Sequence, residues 1–398
     1  METTGRSISV VETATAALLW AACRPEPDLE VVDAALSAGA DLQRAAELAV
    51  AQRVSPLLWR ALGQAGVAGR HEGEGWAELL RADAMRSQAH ALLILPELAP
   101  RVLVPLAQAG LTPLVYKGAA LVDRYPAPGL RPMDDVDLIL PREEVDAAVA
   151  VLQRVGWRIV PPVPGSHHHE AILVHDAVPG LPIELHRALS NWRERSNRLT
   201  ALDMWRWRSP GRVFDQPVYV LPLEEEVVAV AAHAAKPFHV FDRLIWAVDI
   251  AVIIEDAARR SRHIDWDRVG DLSQRARCRT GLAVALSQAE RLGASSPDWL
   301  RDCPAVHARR RALVPLLAPE WPVVERSWGT RTRLRYALVD DWRQRVTLLA
   351  AQLLEDGAVG VPRNAVHLGS LGVNRWLQLR QEAAREDAAA SNGGPRDD

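Results

Sequence analysis

Residues 115–140 read V-Y-K-G-A-A-L-V-D-R-Y-P-A-P-G-L-R-P-M-D-D-V-D-L-I-L. A short apolar run enters a Lys117-Gly118 step. A loop rich in Pro and Gly follows, and Asp135-Val136-Asp137 then opens a second apolar run. In an extended strand, side chains two residues apart share a face. Asp135 and Asp137 therefore point together, while Val136 and Leu138 go to the core. Two carboxylates side by side repel unless a cation lies between them. Mg²⁺ takes a few carboxylates together with substrate phosphate oxygens, the environment this pair offers. Asp134, one residue earlier, points away and is assigned a supporting role.

A pair of metal ions clamping an in-line phosphoryl displacement calls for a third carboxylate. Glu184, in P-I-E-L-H at 182–186, is flanked by apolar Ile183 and Leu185 on a strand that fits beside the Asp135–Leu140 run. Its expected work is to ligate metal and to orient or help deprotonate an attacking hydroxyl. Lys117 and the backbone N–H groups near Gly118 are candidates for holding a triphosphate. Arg131 is a candidate for neutralising charge on a pyrophosphate leaving group. Taken singly these signals are weak: strand edges often alternate acids, and Lys-Gly lacks the glycine spacing of a P-loop. Their conjunction carries the reading.

Outward from this block the pattern changes. Thr112–Tyr116, Val136–Leu140, Trp157–Val160, Ile172–His175 and Pro182–His186 read as strands. The segment 119–125 and Glu143–Val155 read as helices, the second with Val145, Ala148, Val149 and Leu152 on one face. Residues 10–100 are helical by periodicity, with a long stretch from Trp76 to Leu98 closing near Pro96 and Pro100, and Val102–Ala109 finishes a helix that Gly110 caps. From Leu223 onward helices return, led by Leu223–Ala235 and Phe241–Asp256, with others around 267–292, 299–317, 330–355 and 373–386. The fold class expected is α+β: a small mixed-sheet core at 101–222, between helical regions at 1–100 and 223–386. A polar tail at 387–398 is expected to be disordered.

Composition bounds the remaining classes. The chain has 398 residues, 48% hydrophobic and 24% charged, with a net charge of −3. That is globular, and the acidity argues against nucleic acid as a partner. Three scattered cysteines (Cys23, Cys278 and Cys303) give neither a disulfide framework nor a zinc spacing, which points to a reducing cytoplasm. Val10–Cys23 reads as an ordinary first helix rather than a leader. No uncharged apolar run of about 18 residues occurs, so no membrane span is expected. Only two of the 47 basic residues are lysines, Lys117 and Lys236. Where nearly every Lys has given way to Arg, a Lys inside a candidate site invites a specific role.

At these residues the chain resembles the uncharacterised nucleotidyltransferase family within the DNA polymerase β-type nucleotidyltransferase superfamily. The matching elements are L-V-Y-K-G-A-A-L at 114–121, R-P-M-D-D-V-D-L at 131–138, I-E-L-H at 183–186, H-A-A-K at 233–236 and W-A-V-D at 246–249. The resemblance implies that Asp135, Asp137 and Glu184 are the metal-binding triad, with Mg²⁺ or Mn²⁺ as cofactor and an NTP as co-substrate. It implies transfer of a nucleoside monophosphate to an acceptor hydroxyl on a small molecule, peptide or protein, with release of pyrophosphate. Lys117-Gly118 stands where the superfamily usually has Gly-Ser or Gly-Gly, and Ala119 brings no hydroxyl. Phosphate binding then rests more on Lys117 and backbone groups. The alternative is a catalytically inactive nucleotide-binding or protein-interaction module on the same fold.

Four further features bear on the site. His167-His168-His169 follows a Pro-rich loop and reads as a loop and strand edge near the site mouth. His186 shares a strand face with Glu184, either beside the metal or as a packed histidine. His233 and Lys236 share a helix face, from which Lys236 is placed toward nucleotide phosphate. Asp249 lies in an apolar helix where an unpaired carboxylate is costly, so pairing with His233, Lys236 or Arg243 is expected.

Overall fold

The computed structural model describes residues 8–71, 73–161, 170–186, 189, 197–213, 215–237, 239–346 and 348, which fall within one compact unit ending at Leu348. At its centre is a mixed seven-stranded sheet. The strands are β1 (Leu114–Tyr116), β2 (Val136–Ile139), β3 (Arg158–Ile159), β4 (Glu170–Val174), β5 (Ile183–His186), β6 (Ser209–Val213) and β7 (Gln216–Val220), in the order β3-β4-β5-β2-β1-β7-β6. The α+β class is as expected. The hairpin β6–β7 was not anticipated. Pro210, Gly211 and Pro217 disguise it, since Pro and Gly give no strand signal; only β6 is the edge strand. Gly211 is required there: a Cβ would lie 2.5 Å from the Val220 side chain on the paired strand.

Strand alternation divides the sheet's contacts between two cores. Val115, Val136, Leu138, Ile183 and Leu185 pack against the helix Val145–Arg154 and against residues 95–106. Leu114, Tyr116 and Ile139 belong to a larger core built from both helical regions. That core joins Val10–Ala22, Leu42–Ala51 and Ser55–Gln64 to Leu223–Ala234, Ile245–Arg259 and Arg279–Arg291. The helix Leu223–Ala234 is buried along almost its whole length, as the apolar run that follows its acidic first turn requires. The three cysteines are buried and unbonded.

The stretch Gly75–Gln108 departs from expectation. Rather than breaking near Pro96 and Pro100, it joins the helix expected at Val102–Ala109 by passing through π turns at His90–Ile94 and Ala99–Leu103 and a 3₁₀ turn at Leu95–Glu97. Such turns accommodate Pro96, Pro100 and Pro105, which lack a donor for the regular ladder. By length and composition this stretch is apolar enough to cross a bilayer, which the sequence reading did not anticipate. Leu95, Leu98, Val102, Leu103 and Leu106 are buried in the core beneath the sheet.

Candidate active site

The site lies where β1, β2 and β5 run side by side. β2 and β5 are parallel and in register, with Asp137 opposite Glu184 and Ile139 opposite His186. β1 runs antiparallel on the other side, with Tyr116 opposite Asp137. Because β2 and β5 each turn alternate residues into the lower core, Asp137, Glu184 and His186 are left on the opposite face together. Two strands 44 residues apart thus supply carboxylates directly opposite each other, roughly 5 Å apart in the ladder.

Asp137 is the most constrained of the group, 2% exposed. Its Oδ1 accepts a hydrogen bond from Lys117 Nζ at 2.7 Å and lies 2.6 Å from His186 Nε2. His186 Nε2 also lies 3.6 Å from Glu184 Oε2. Desolvation alone would raise the Asp137 pKa, but Lys117 and His186 outweigh it and hold this carboxyl well below the usual range. Asp135 shows the opposite balance. Desolvation, followed by the charge of Asp137, pushes it up to about 6 against the pull of Lys117. The two acids behave as the like-charged pair expected of D-x-D, their protons divided unequally between them.

Among the described residues, Asp137, Glu184 and His186 form a group whose ligand atoms all lie within 4.8 Å of one another. The sequence reading put Asp135 in that place; in the structure Asp135 is coupled to Asp137 by charge and is not a member of this group. His186 is the third member of this group. Its place two residues after Glu184 was visible in P-I-E-L-H, whereas its reach across to Asp137 depends on the β2–β5 register.

Lys117 ends β1 with φ +53° and ψ −130°, a conformation that favours glycine. A non-glycine residue held there costs about 1–3 kcal/mol, and such residues cluster at functional sites. The turn feeds the short helix Gly118–Leu121. At Gly118 a Cβ would come 3.0 Å from Met133 Sδ and 3.5 Å from Arg131 Nη1, so the turn and the loop before β2 are in close contact.

Arg131 sits differently from its expected place. Its Nε and Nη2 donate to Asp249 Oδ1 and Oδ2 at 2.8 and 2.9 Å, and Tyr125 Oη donates to Asp249 Oδ1 at 2.6 Å. The buried carboxylate therefore pairs with Arg131 and Tyr125, not with His233, Lys236 or Arg243. Arg243 lies instead 3.6 Å from Asp134, which Arg53 also binds. Helical periodicity marks Asp249 as buried but cannot reveal which loop packs against that helix.

Lys236 donates to the Leu189 carbonyl and, with Tyr116, Asn197 and His233, lines a small crevice on the same side of β1 as Asp137. His233 and His239 are driven well below the ordinary histidine range, by burial first; for His233 the next charge is Lys117, and for His239 it is Lys236. Burial and the neighbouring cations thus both disfavour the charged form of these imidazoles. They pack on Trp246, His239 in a stack with a ring separation of 4.8 Å. His167–His169 lie outside the described residues.

No curated protein and no solved structure matches the chain. A family model described as uncharacterised nucleotidyltransferase matches residues 38–294, well over half of the sequence and every element of the site above. The chain belongs to the uncharacterised nucleotidyltransferase family.

Proposed function

We propose that the protein transfers a nucleoside monophosphate from an NTP to an acceptor hydroxyl, with a divalent ion held by Asp137, Glu184 and Asp135. The observation that carries this reading is the in-register apposition of Asp137 and Glu184 on the sheet face that also receives Lys117. The residues fit a metal ion. Two carboxylates and an imidazole converge within 4.8 Å, and Asp135 is raised by burial first and by the Asp137 charge second, both of which a nearby cation offsets. Oxygen-rich donors favour Mg²⁺ or Mn²⁺. A bound ion would supply charge neutralisation on phosphate oxygens and a template for in-line displacement.

The chain's own groups have distinct parts in this proposal. His186 fixes the Asp137 carboxylate from beside it. Glu184, whose side chain is 19% exposed, is the carboxylate best placed to meet an incoming hydroxyl. Lys117, at the carboxylates, and Lys236, on the crevice lined by Tyr116 and His233, are offered as the cations that meet a triphosphate. Arg131 acts through the loop it anchors to Asp249 rather than on phosphate, a revision of its expected role. The acceptor class is a small molecule, peptide or protein.

Incubation with each α-labelled NTP, Mg²⁺ or Mn²⁺, and a panel of metabolites, peptides and RNA tests the reading, with Asp135→Ala/Asp137→Ala alongside. Label transfer lost in the double variant is expected. Transfer that survives it refutes the site. NTP binding without transfer to any acceptor would favour the inactive nucleotide-binding module, to which the absence of a hydroxyl at Ala119 also points.

A further inference from the structure

Lys117 and the proposed metal ion need the same oxygen. Lys117 Nζ is 2.7 Å from Asp137 Oδ1, with the Lys117 side chain 16% exposed and Asp137 2% exposed. His186 Nε2 reaches that same oxygen. Two positively polarised groups already converge there, and a divalent ion arriving at Oδ1 meets an ammonium within contact distance in a partly desolvated site. At such separations like charges repel, and screening by solvent reduces this but does not remove it. The backbone supplies a second, independent observation. Lys117 occupies a glycine-like conformation at φ +53°, so the chain keeps an ammonium here despite a local strain that glycine would avoid.

We infer that Lys117 is a resident counter-ion of the carboxylate site that competes with the divalent ion for Asp137. The inference rests on the proposed reading of that site and adds an order to it. A bare metal ion binds poorly because it must displace Lys117 with nothing to receive the displaced charge. An ion carried on a phosphate tail offers Lys117 a second anion, so metal and nucleotide enter together. The only lysine in the core region thereby has two positions, on Asp137 and on phosphate.

The test is Mn²⁺ binding without nucleotide, followed by the electron paramagnetic resonance signal of free Mn²⁺. It compares the full chain with Lys117→Met, Lys117→Gly and Lys117→Arg, each also combined with Asp137→Asn. Lys117→Gly suits the backbone and guards against a folding defect in Lys117→Met. Both neutral variants are expected to bind Mn²⁺ about tenfold more tightly than wild type, or better, while Lys117→Arg stays near wild type. Asp137→Asn is expected to abolish the gain. Asp137-dependent binding that neither neutral variant tightens overturns the inference and leaves the site reading intact. Mn²⁺ binding indifferent to Asp137→Asn, or no binding in the neutral variants, overturns both.

Discussion

Asp249→Asn is the perturbation whose consequence follows most directly from the coordinates. Asp249 accepts two hydrogen bonds from Arg131 and one from Tyr125, and the Arg131 and Asp249 side chains are 12% and 2% exposed. Asparagine keeps the shape and removes the charge, leaving a guanidinium buried without its counter-ion. Breaking a buried pair from one side costs about 3–5 kcal/mol. In a chain of this size that lowers the thermal midpoint by roughly 4–7 °C. Arg131→Met strands the carboxylate instead and should cost a similar amount. Replacing both, as Arg131→Met/Asp249→Leu, removes both charges; what remains is about 1–3 kcal/mol for the Tyr125 hydroxyl left without its acceptor. Urea denaturation of the four proteins closes the cycle. A double variant far more stable than the sum of the singles is expected. Additive costs would refute the claim that the two side chains form one buried unit, and with it the anchoring of the loop that leads to Asp135.

Glu226 is pushed from 4.5 up to about 7 by burial, against the pull of Arg124. Between those values the folded state keeps a proton that the unfolded state has released, so stability falls as pH rises through this window, by on the order of 3 kcal/mol, and levels off above it. Glu226→Gln should lack that decline; equal differences between pH 4.5 and pH 8 in urea melts of both proteins would count against it. Gly129 sits at φ +82°, where a Cβ would lie 2.5 Å from Gln88 Cα and 2.8 Å from Gln88 N, and its carbonyl accepts from Ser87 Oγ. Gly129→Ala should therefore destabilise by about 2–4 kcal/mol through backbone collision and an unfavourable φ, measured by the same melts; a change under about 0.5 kcal/mol would mean that the loop yields freely.

Much of the site was legible because its logic is local. Val136 and Leu138 bracket Asp137, and Ile183 and Leu185 bracket Glu184, so alternation alone places each acid on the face opposite its apolar neighbours. That the two strands are parallel neighbours with Asp137 level with Glu184 is a matter of register, which alternation does not contain. For the same reason His186 was recognised as sharing a face with Glu184, but its contact with Asp137 was not foreseen. The Arg131–Asp249 pair was hidden for another reason. Its partners are 118 residues apart, and a loop's docking site leaves no periodic trace. Prolines misled twice, suggesting a break in the helix near Pro96 and Pro100, where π and 3₁₀ turns carry it on, and masking β6 and β7 at Pro210 and Pro217.

The central claim, that Asp137 and Glu184 hold a divalent ion between β2 and β5, is tested most directly by anomalous diffraction from crystals grown with Mn²⁺ and a non-hydrolysable NTP. The account predicts an anomalous peak about 2.0–2.6 Å from carboxylate oxygens of both residues, with Lys117 Nζ withdrawn from Asp137 toward phosphate. Nucleotide bound with Mn²⁺ away from both carboxylates would contradict it.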